Sequence, residues 1–102
     1  MGSLKWTLAP TIADTGGAQV TEAVHVDSGV VATSGASATI PAAPADFKGR
    51  RLIWIFTAEG AAMWVRFDGK PAAVGKGNYI PLGQTTVLGA RPSQAGTVID
   101  DA

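Results

Sequence analysis

The fold is decided by residues 50–83, which read RRLIWIFTAEGAAMWVRFDGKPAAVGKGNYIPLG. This stretch holds two of the chain's three tryptophans, two of its three phenylalanines, its only tyrosine and five of its eight basic residues. Arg51–Ala58 and Ala62–Asp68 are dense in the branched and aromatic residues that suit a pleated surface, so each predicts a β-strand. The residues between them, Glu59 to Ala61, are few enough for a tight hairpin.

The alternation of side chains predicts which faces of these two strands are buried. The first strand is apolar on both faces, which indicates a central strand or one whose second face is covered by another chain. In the second strand Trp64 and Arg66 share the outer face. Such a pair is typical of a protein interface; the alternative is a rim tryptophan shielded by the arginine stem. The predicted core of the hairpin consists of Leu52, Trp54, Phe56, Met63, Val65 and Phe67.

Glycine and proline interrupt the rest of the chain at short intervals. This spacing predicts an all-β fold, a small antiparallel β-sandwich or a β-tulip or barrel of seven to nine short strands. The best helical candidate is Pro41–Lys48, which its two prolines limit to one short turn. The predicted strands are Lys5–Ala9, Gln19–Val26, Val30–Thr33, Ser37–Ile40, Arg51–Ala58, Ala62–Asp68, Asn78–Leu82, Thr85–Leu88 and Thr97–Asp100.

A length of 102 residues indicates a single domain. Trp6 and Leu8 lie on one side of a short strand, and the small residues that follow lack the bulk to be buried alone. We therefore expect residues 1–17 to form an extended N-terminal arm that packs on a neighbouring subunit, and residues 18–102 to form the β-sandwich domain. The Ala/Gly/Ser/Thr-rich stretches 10–18 and 28–38 have two interpretations, flexible linkers or weakly specified edge strands.

Charge and cysteine content exclude several classes of protein. The net charge is zero and only 16% of residues are charged, without the basic excess of a nucleic-acid-binding protein. The absence of cysteine excludes disulfides and thiolate chemistry. We find no signal peptide and no apolar run of the roughly 18 residues that span a bilayer. The expectation is a protein that binds neither nucleic acid nor membrane and packs against other proteins.

No cluster of residues predicts a chemistry. His25 is the only histidine, whereas zinc sites need several His, Cys or carboxylate ligands. Asp27, Glu59 and Asp68 occupy turn positions, where acidic residues are favoured for structural reasons. Gly75-Lys76-Gly77 lacks the spacing of a phosphate-binding loop. We therefore expect no enzymatic activity, no catalytic or metal-binding residue and no cofactor.

The segment Ala62–Leu82 resembles a pattern found in small structural proteins of tailed bacteriophages. In that pattern an alternating strand ends in an Arg-x-Asp-Gly turn, followed by Pro-Ala or Pro-Thr, a glycine and an apolar-Pro-Leu or apolar-Leu stretch. Richness in alanine, the absence of cysteine and the low charge fraction are also similar to capsid decoration (cement) proteins. The residues that carry the resemblance are Arg66, Asp68, Gly69, Pro71, Ala72, Gly75, Ile80 and Leu82.

The resemblance implies a non-enzymatic virion protein, in the leading interpretation one bound to the capsid exterior, with roles in the tail or the head–tail connector left open. Such a protein is made in the host cytoplasm and bridges subunits of the major capsid protein, often as a homotrimer at local threefold positions. The candidate interface residues in this chain are Trp6, Leu8, Trp64 and Arg66.

A second function competes with this one. A small carbohydrate- or receptor-binding β-sandwich module of a phage tail or fibre would present exposed aromatic rings on one platform. Trp54, Trp64 and Tyr79 are the candidates for that platform. A glycan array and co-sedimentation with stripped capsids distinguish the two functions.

Overall fold

The computed structural model describes residues 2–13, 19–21, 26–45 and 51–101. Within these ranges the chain is all-β, as predicted, with nine strands and no helix. Residues 41–45 of the helical candidate are irregular, and 46–48 lie outside the described residues. The strands are β1 (Gly2–Ala13), β2 (Gln19–Thr21), β3 (Asp27–Thr33), β4 (Ala38–Ile40), β5 (Leu52–Glu59), β6 (Met63–Arg66), β7 (Asn78–Ile80), β8 (Thr85–Ala90) and β9 (Gly96–Asp100).

The strands form two antiparallel sheets that enclose one core. In sheet 1 the order is β2-β1-β5-β8, with β3 also paired to β1; in sheet 2 it is β4-β9-β6-β7. Alternate residues of β5 are buried while their neighbours are only partly covered, as period-2 geometry requires. The buried faces of both sheets contribute to a single apolar cluster, which makes the domain a small β-sandwich.

Aromatic rings fill the centre of this core. Trp54 stacks on Phe56 with ring centroids 5.5 Å apart, and Phe67 lies 5.9 Å from Trp54 on the sheet 2 side. Trp6 meets Trp54 edge-on at 5.5 Å. Stacked and edge-on pairs at these distances add to the stabilisation from burial of the rings. The predicted inward faces of β5 and β6 are therefore correct.

The predicted hairpin between β5 and β6 is wrong. β5 pairs with β1 and β8, whereas β6 pairs with β7 and β9, so the two strands lie in different sheets. The short connection, with Gly60 at a positive φ of 79°, crosses from one sheet to the other. Each strand has one strongly apolar face, and placing the strands in opposite layers turns both faces toward the same core.

Residues 2–13 do not form an arm. They make up β1, which lies inside sheet 1 between β5 on one side and β3 and β2 on the other. Leu4, Trp6 and Leu8 belong to the core of the same chain. A tryptophan and two leucines at alternate positions bury more apolar surface inside the sandwich than a surface arm would. The expected boundary at residue 17 therefore does not separate this segment from the sandwich; residues 14–17 lie outside the described residues.

The described parts of the stretches rich in small residues are strands, except for residues 34–37, which connect β3 to β4. Residues 11–13 pair with β2, and β3 runs antiparallel to β1 from Asp27 to Thr33. β4 begins at Ala38 and pairs with β9. These paired parts of the two stretches are therefore strands, and the interpretation as flexible linkers is wrong for them.

Candidate interaction site on the outer face of sheet 2

The pairing of β6 with its two neighbours determines what lies on the outer face of sheet 2. Met63 and Val65 are buried in the core, so Trp64 and Arg66 point outward, as predicted. Trp64 is directly opposite Tyr79 on β7 and Ile99 on β9. The outer face therefore has a row of three large side chains across β7, β6 and β9.

Trp64 is held in place from two directions. Its ring lies 5.1 Å from that of Tyr79, with the ring planes inclined at 54°. Its Nε1–H donates to Oδ1 of Asp101 at 3.0 Å. The indole is only partly buried, and Tyr79 is 44% exposed. The two rings thus form an aromatic surface in a fixed orientation, with a carboxylate at one side.

Arg66 forms an ion pair with Asp68 at the end of β6. Nε of Arg66 donates to Oδ1 of Asp68 at 2.7 Å, and Nη2 contacts Oδ2, so the pair is bidentate. Nη1 also donates to the carbonyl of Pro71 at 3.4 Å. The backbone N–H of Lys70 donates to Oδ1 of Asp68 at 3.3 Å. These bonds make Arg66 part of the predicted Asp68-Gly69 turn, where Gly69 has a φ of 78°.

The ion pair changes the acidity of both groups. The hydrogen bond from Arg66 is the main reason that the pKa of Asp68 falls to about 2, and the N–H of Lys70 acts in the same direction. The hydrogen bond to Asp68 raises the pKa of Arg66. Near neutral pH the pair is therefore fully ionised, and its charges largely cancel at the edge of the aromatic surface.

The structure brings together only two of the four residues predicted for the interface. Trp64 and Arg66 share the outer face of sheet 2, whereas Trp6 and Leu8 are buried in the core and cannot contact a partner in the folded chain. Trp54, predicted as part of an aromatic platform, is 1% exposed and belongs to the core as well. Asp101 was not predicted, because its bond to Trp64 joins residues 37 positions apart.

A second exposed surface lies on the outer face of sheet 1. Ile55 on β5 is opposite Val87 on β8, and the next pair, Thr57 and Thr85, places two hydroxyl oxygens 3.1 Å apart. Val87 is 55% exposed. The charged side chains described on this face lie to one side of Ile55 and Val87, where Lys5 forms a 3.1 Å ion pair with Glu59. The sandwich therefore exposes apolar side chains on two opposite faces.

The described residues offer contact groups rather than a reaction centre. Among the residues with described positions, no three His, Cys, Asp or Glu side chains group closely enough to hold a metal ion. No helix in this part of the chain is long and apolar enough to cross a membrane. Comparisons with protein-family models, with curated proteins and with solved structures found no match. The functional interpretation therefore rests on the surfaces described above and on the resemblance of Ala62–Leu82 to phage proteins.

Proposed function

We propose that the protein is a non-enzymatic virion structural protein, a capsid decoration protein that stabilises the shell of a tailed phage by bridging subunits of the major capsid protein. It would lie on the capsid exterior and act as a homo-oligomer, with a trimer as the form that the resemblance implies. The turn at Asp68-Gly69 and the proline-containing return to β7 are the part of the chain that supports the phage origin.

The observation that carries the proposal is the fixed aromatic pair Trp64–Tyr79 on the outer face of sheet 2. Aromatic and arginine side chains dominate the hot spots of protein interfaces. The bond from Trp64 to Asp101 and the ion pair from Arg66 to Asp68 hold these side chains before a partner binds. Binding then costs less side-chain entropy than it would for mobile groups.

Bridging requires two contact surfaces on one molecule. The outer faces of a two-layer sandwich point in opposite directions. Here one bears Trp64 and Tyr79 and the other bears Ile55 and Val87. A decoration protein that contacts one capsid subunit through each face would join neighbours by adding buried area, with no reaction and no cofactor.

The test is occupancy on stripped capsids of the phage whose genome encodes the chain. We expect Trp64→Ala and Tyr79→Ala to weaken attachment at least tenfold, since truncation of a hot-spot residue costs about 2 kcal/mol or more. Val74→Ala is the matched control, because Val74 is exposed and lies outside the aromatic pair. Equal occupancy of the wild type and all three variants would contradict the proposed contact surface.

Salt dependence separates apolar attachment from charge-driven attachment. A chain with zero net charge exerts little long-range steering, so occupancy should change little between about 50 and 500 mM salt. A collapse of binding in this range would instead indicate attachment through the basic residues Lys48, Arg50 and Arg51.

The carbohydrate-binding alternative is favoured by one observation, the exposure of Tyr79 beside Trp64. Sugar rings stack on aromatic faces, and two rings inclined at 54° offer two short surfaces in place of one flat platform. Retention on a glycan column, lost in Tyr79→Ala and combined with no capsid binding, would favour this function over decoration.

A further inference from the structure

The edges of the two sheets differ in how well they are protected from pairing with another chain. In sheet 2 the edge strands β4 and β7 are three residues each, and very short edges seldom template another strand. In sheet 1 the edge strand β2 is also only three residues long. The end of β3 is tied to sheet 2, because the N–H of Asp100 donates to the carbonyl of Ser34 at 2.9 Å. Short length, or a contact with the other sheet, therefore gives these edges protection from pairing with another chain.

The remaining edge, β8, has none. Its six residues, Thr85–Ala90, contain no charge and no proline, although edge strands of monomeric proteins usually carry a lysine, a proline or a bulge for this purpose. No strand in the described part of the chain pairs with the side of β8 that faces away from β5. The backbone N–H and C=O groups on that side are thus available as a template for another strand.

The core is also incomplete beneath β8. The inward residues of β5, such as Trp54 and Phe56, are fully buried. Leu88, which is opposite Trp54 on β8, is only partly buried at the edge of the same core. A strand added alongside β8 would extend the sheet over this edge and remove further apolar surface from water.

We propose that β8 pairs in antiparallel fashion with the β8 of a second copy of this chain, which joins the two copies of sheet 1 across a twofold axis. An uncharged strand is its own suitable partner, since two identical copies bring no like charges together. No charged residue occurs between Lys76 and Arg91. Arg91 follows β8 directly, but in an antiparallel pair the two copies of Arg91 lie at opposite ends and do not meet.

The alternation of side chains restricts the register of this pair. Directly opposite residues of an antiparallel pair point to the same face, so the twofold must pass beside a residue, not between two, for both cores to remain on one side. The registers that pair most of β8 place it beside Val87 or beside Leu88. Either register pairs all but one of the six residues of each strand. In the register centred on Val87, position 87 lies directly opposite position 87 of the second copy. In the register centred on Leu88, the two positions lie diagonally across from each other on the same face.

This inference does not depend on the proposed virion function. It concerns the isolated protein in solution, where it predicts a dimer, whereas the trimer is what the resemblance implies for the virion. It uses the β8 edge, and of the two bridging faces it involves only the one that bears Val87, not the one with Trp64 and Tyr79. Loss of capsid binding in the Trp64→Ala variant would leave the β8 pair intact, and a monomeric wild-type protein would not affect the test on capsids.

The experiment is light scattering after size exclusion on the full chain and on Val87→Lys, Val87→Glu and their equimolar mixture. We expect wild type to have twice the mass of one chain. Each single variant should have a dissociation constant raised at least tenfold, because like charges meet near the axis. The mixture should recover the dimer, because the lysine introduced in one chain then meets the glutamate introduced in the other. Val30→Glu is the control, since Val30 is 61% exposed on the same face and lies opposite Lys5.

Three outcomes would overturn the proposal. The first is a monomeric wild type at concentrations of about 0.1–1 mM, where even a weak dimer with a dissociation constant of about 1 mM begins to form. The second is a dimer or trimer that both charge variants leave unchanged. The third is a failure of the mixture to recover the dimer while circular dichroism shows each variant to be folded.

Discussion

Trp6 packs against the backbone of Gly29 on the neighbouring strand so closely that a Cβ at position 29 would lie 2.8 Å from Cζ2 of the indole. The two residues are opposite each other in the β1–β3 pairing. The tryptophan that was predicted to anchor an arm therefore fills the space left by the missing side chain of a glycine in the same domain. This contact gives a direct test of whether β1 belongs to the core.

We predict that Gly29→Ala lowers the free energy of unfolding by about 1–3 kcal/mol, the usual cost of overpacking a core. Gly35→Ala is the matched control, because a Cβ at Gly35 meets nothing within 4 Å and should change stability by no more than about 0.5 kcal/mol. Urea denaturation of the two variants measures the difference. Equal midpoints would mean that Trp6 does not occupy this position.

Phe56→Ala should lower the free energy of unfolding by about 3–5 kcal/mol, since the ring is fully buried among other aromatic rings. For a domain of this size such a loss approaches the total stability. Val30→Ala, at an exposed position of the same sheet, should remain close to wild type. A Phe56→Ala protein that melts within a few degrees of wild type would contradict the assigned core.

Removal of residues 2–8 should unfold the domain, because it removes β1 from between β3 and β5 together with Leu4, Trp6 and Leu8. Within the strand, Trp6→Ala should be strongly destabilising, by about 3–5 kcal/mol. Lys5→Ala, at an exposed position one residue away, should have little effect. A truncated chain that keeps its circular dichroism spectrum and melts cooperatively would restore the expectation of a dispensable arm.

The ion pair between Arg66 and Asp68 predicts a pH effect. The pKa of Asp68 is about 2 in the folded chain, below its ordinary value of 3.8, so the folded state favours the ionised form. The stabilisation is fully present above about pH 4 and is lost as the pH falls toward 2. The carboxyl carbon resonance of Asp68 should report this titration, and in Arg66→Gln its midpoint should rise toward the ordinary value. An unchanged midpoint would show that the bidentate bond is not the cause.

Because the signals are local, each of the nine described strands overlaps a strand predicted from the sequence, although the bounds differ, most of all for β1. Glycine and proline mark many of the turns, although Pro10 and Gly29 lie inside β1 and β3, and alternation marks the buried face of β5 and β6. The same alternation correctly places Trp64 outward. These features depend on neighbours one or two residues away, which a sequence displays directly.

Features that depend on distant pairing could not be predicted. The short stretch after Ala58 is compatible with both a hairpin and a crossing between sheets, and only the position of β8 and β9 decides between them. A short strand with Trp6 and Leu8 on one side is equally suited to an arm and to a central strand. The contact from Trp64 to Asp101 likewise joins segments that no local pattern connects.

The crossing connections impose an order on synthesis. Trp6 is paired with Phe56, about fifty residues later in the chain. During synthesis the apolar face of β1 therefore remains without its partner β5 until β5 has been made. Sheet 2 forms later, because its inner strand β9, which lies between β4 and β6, is the last strand in the chain. Sheet 1 can therefore be completed once β8 has emerged, whereas sheet 2 is completed only after residues 96–100 emerge. Until then the nascent chain exposes unpaired apolar strands, which favour aggregation.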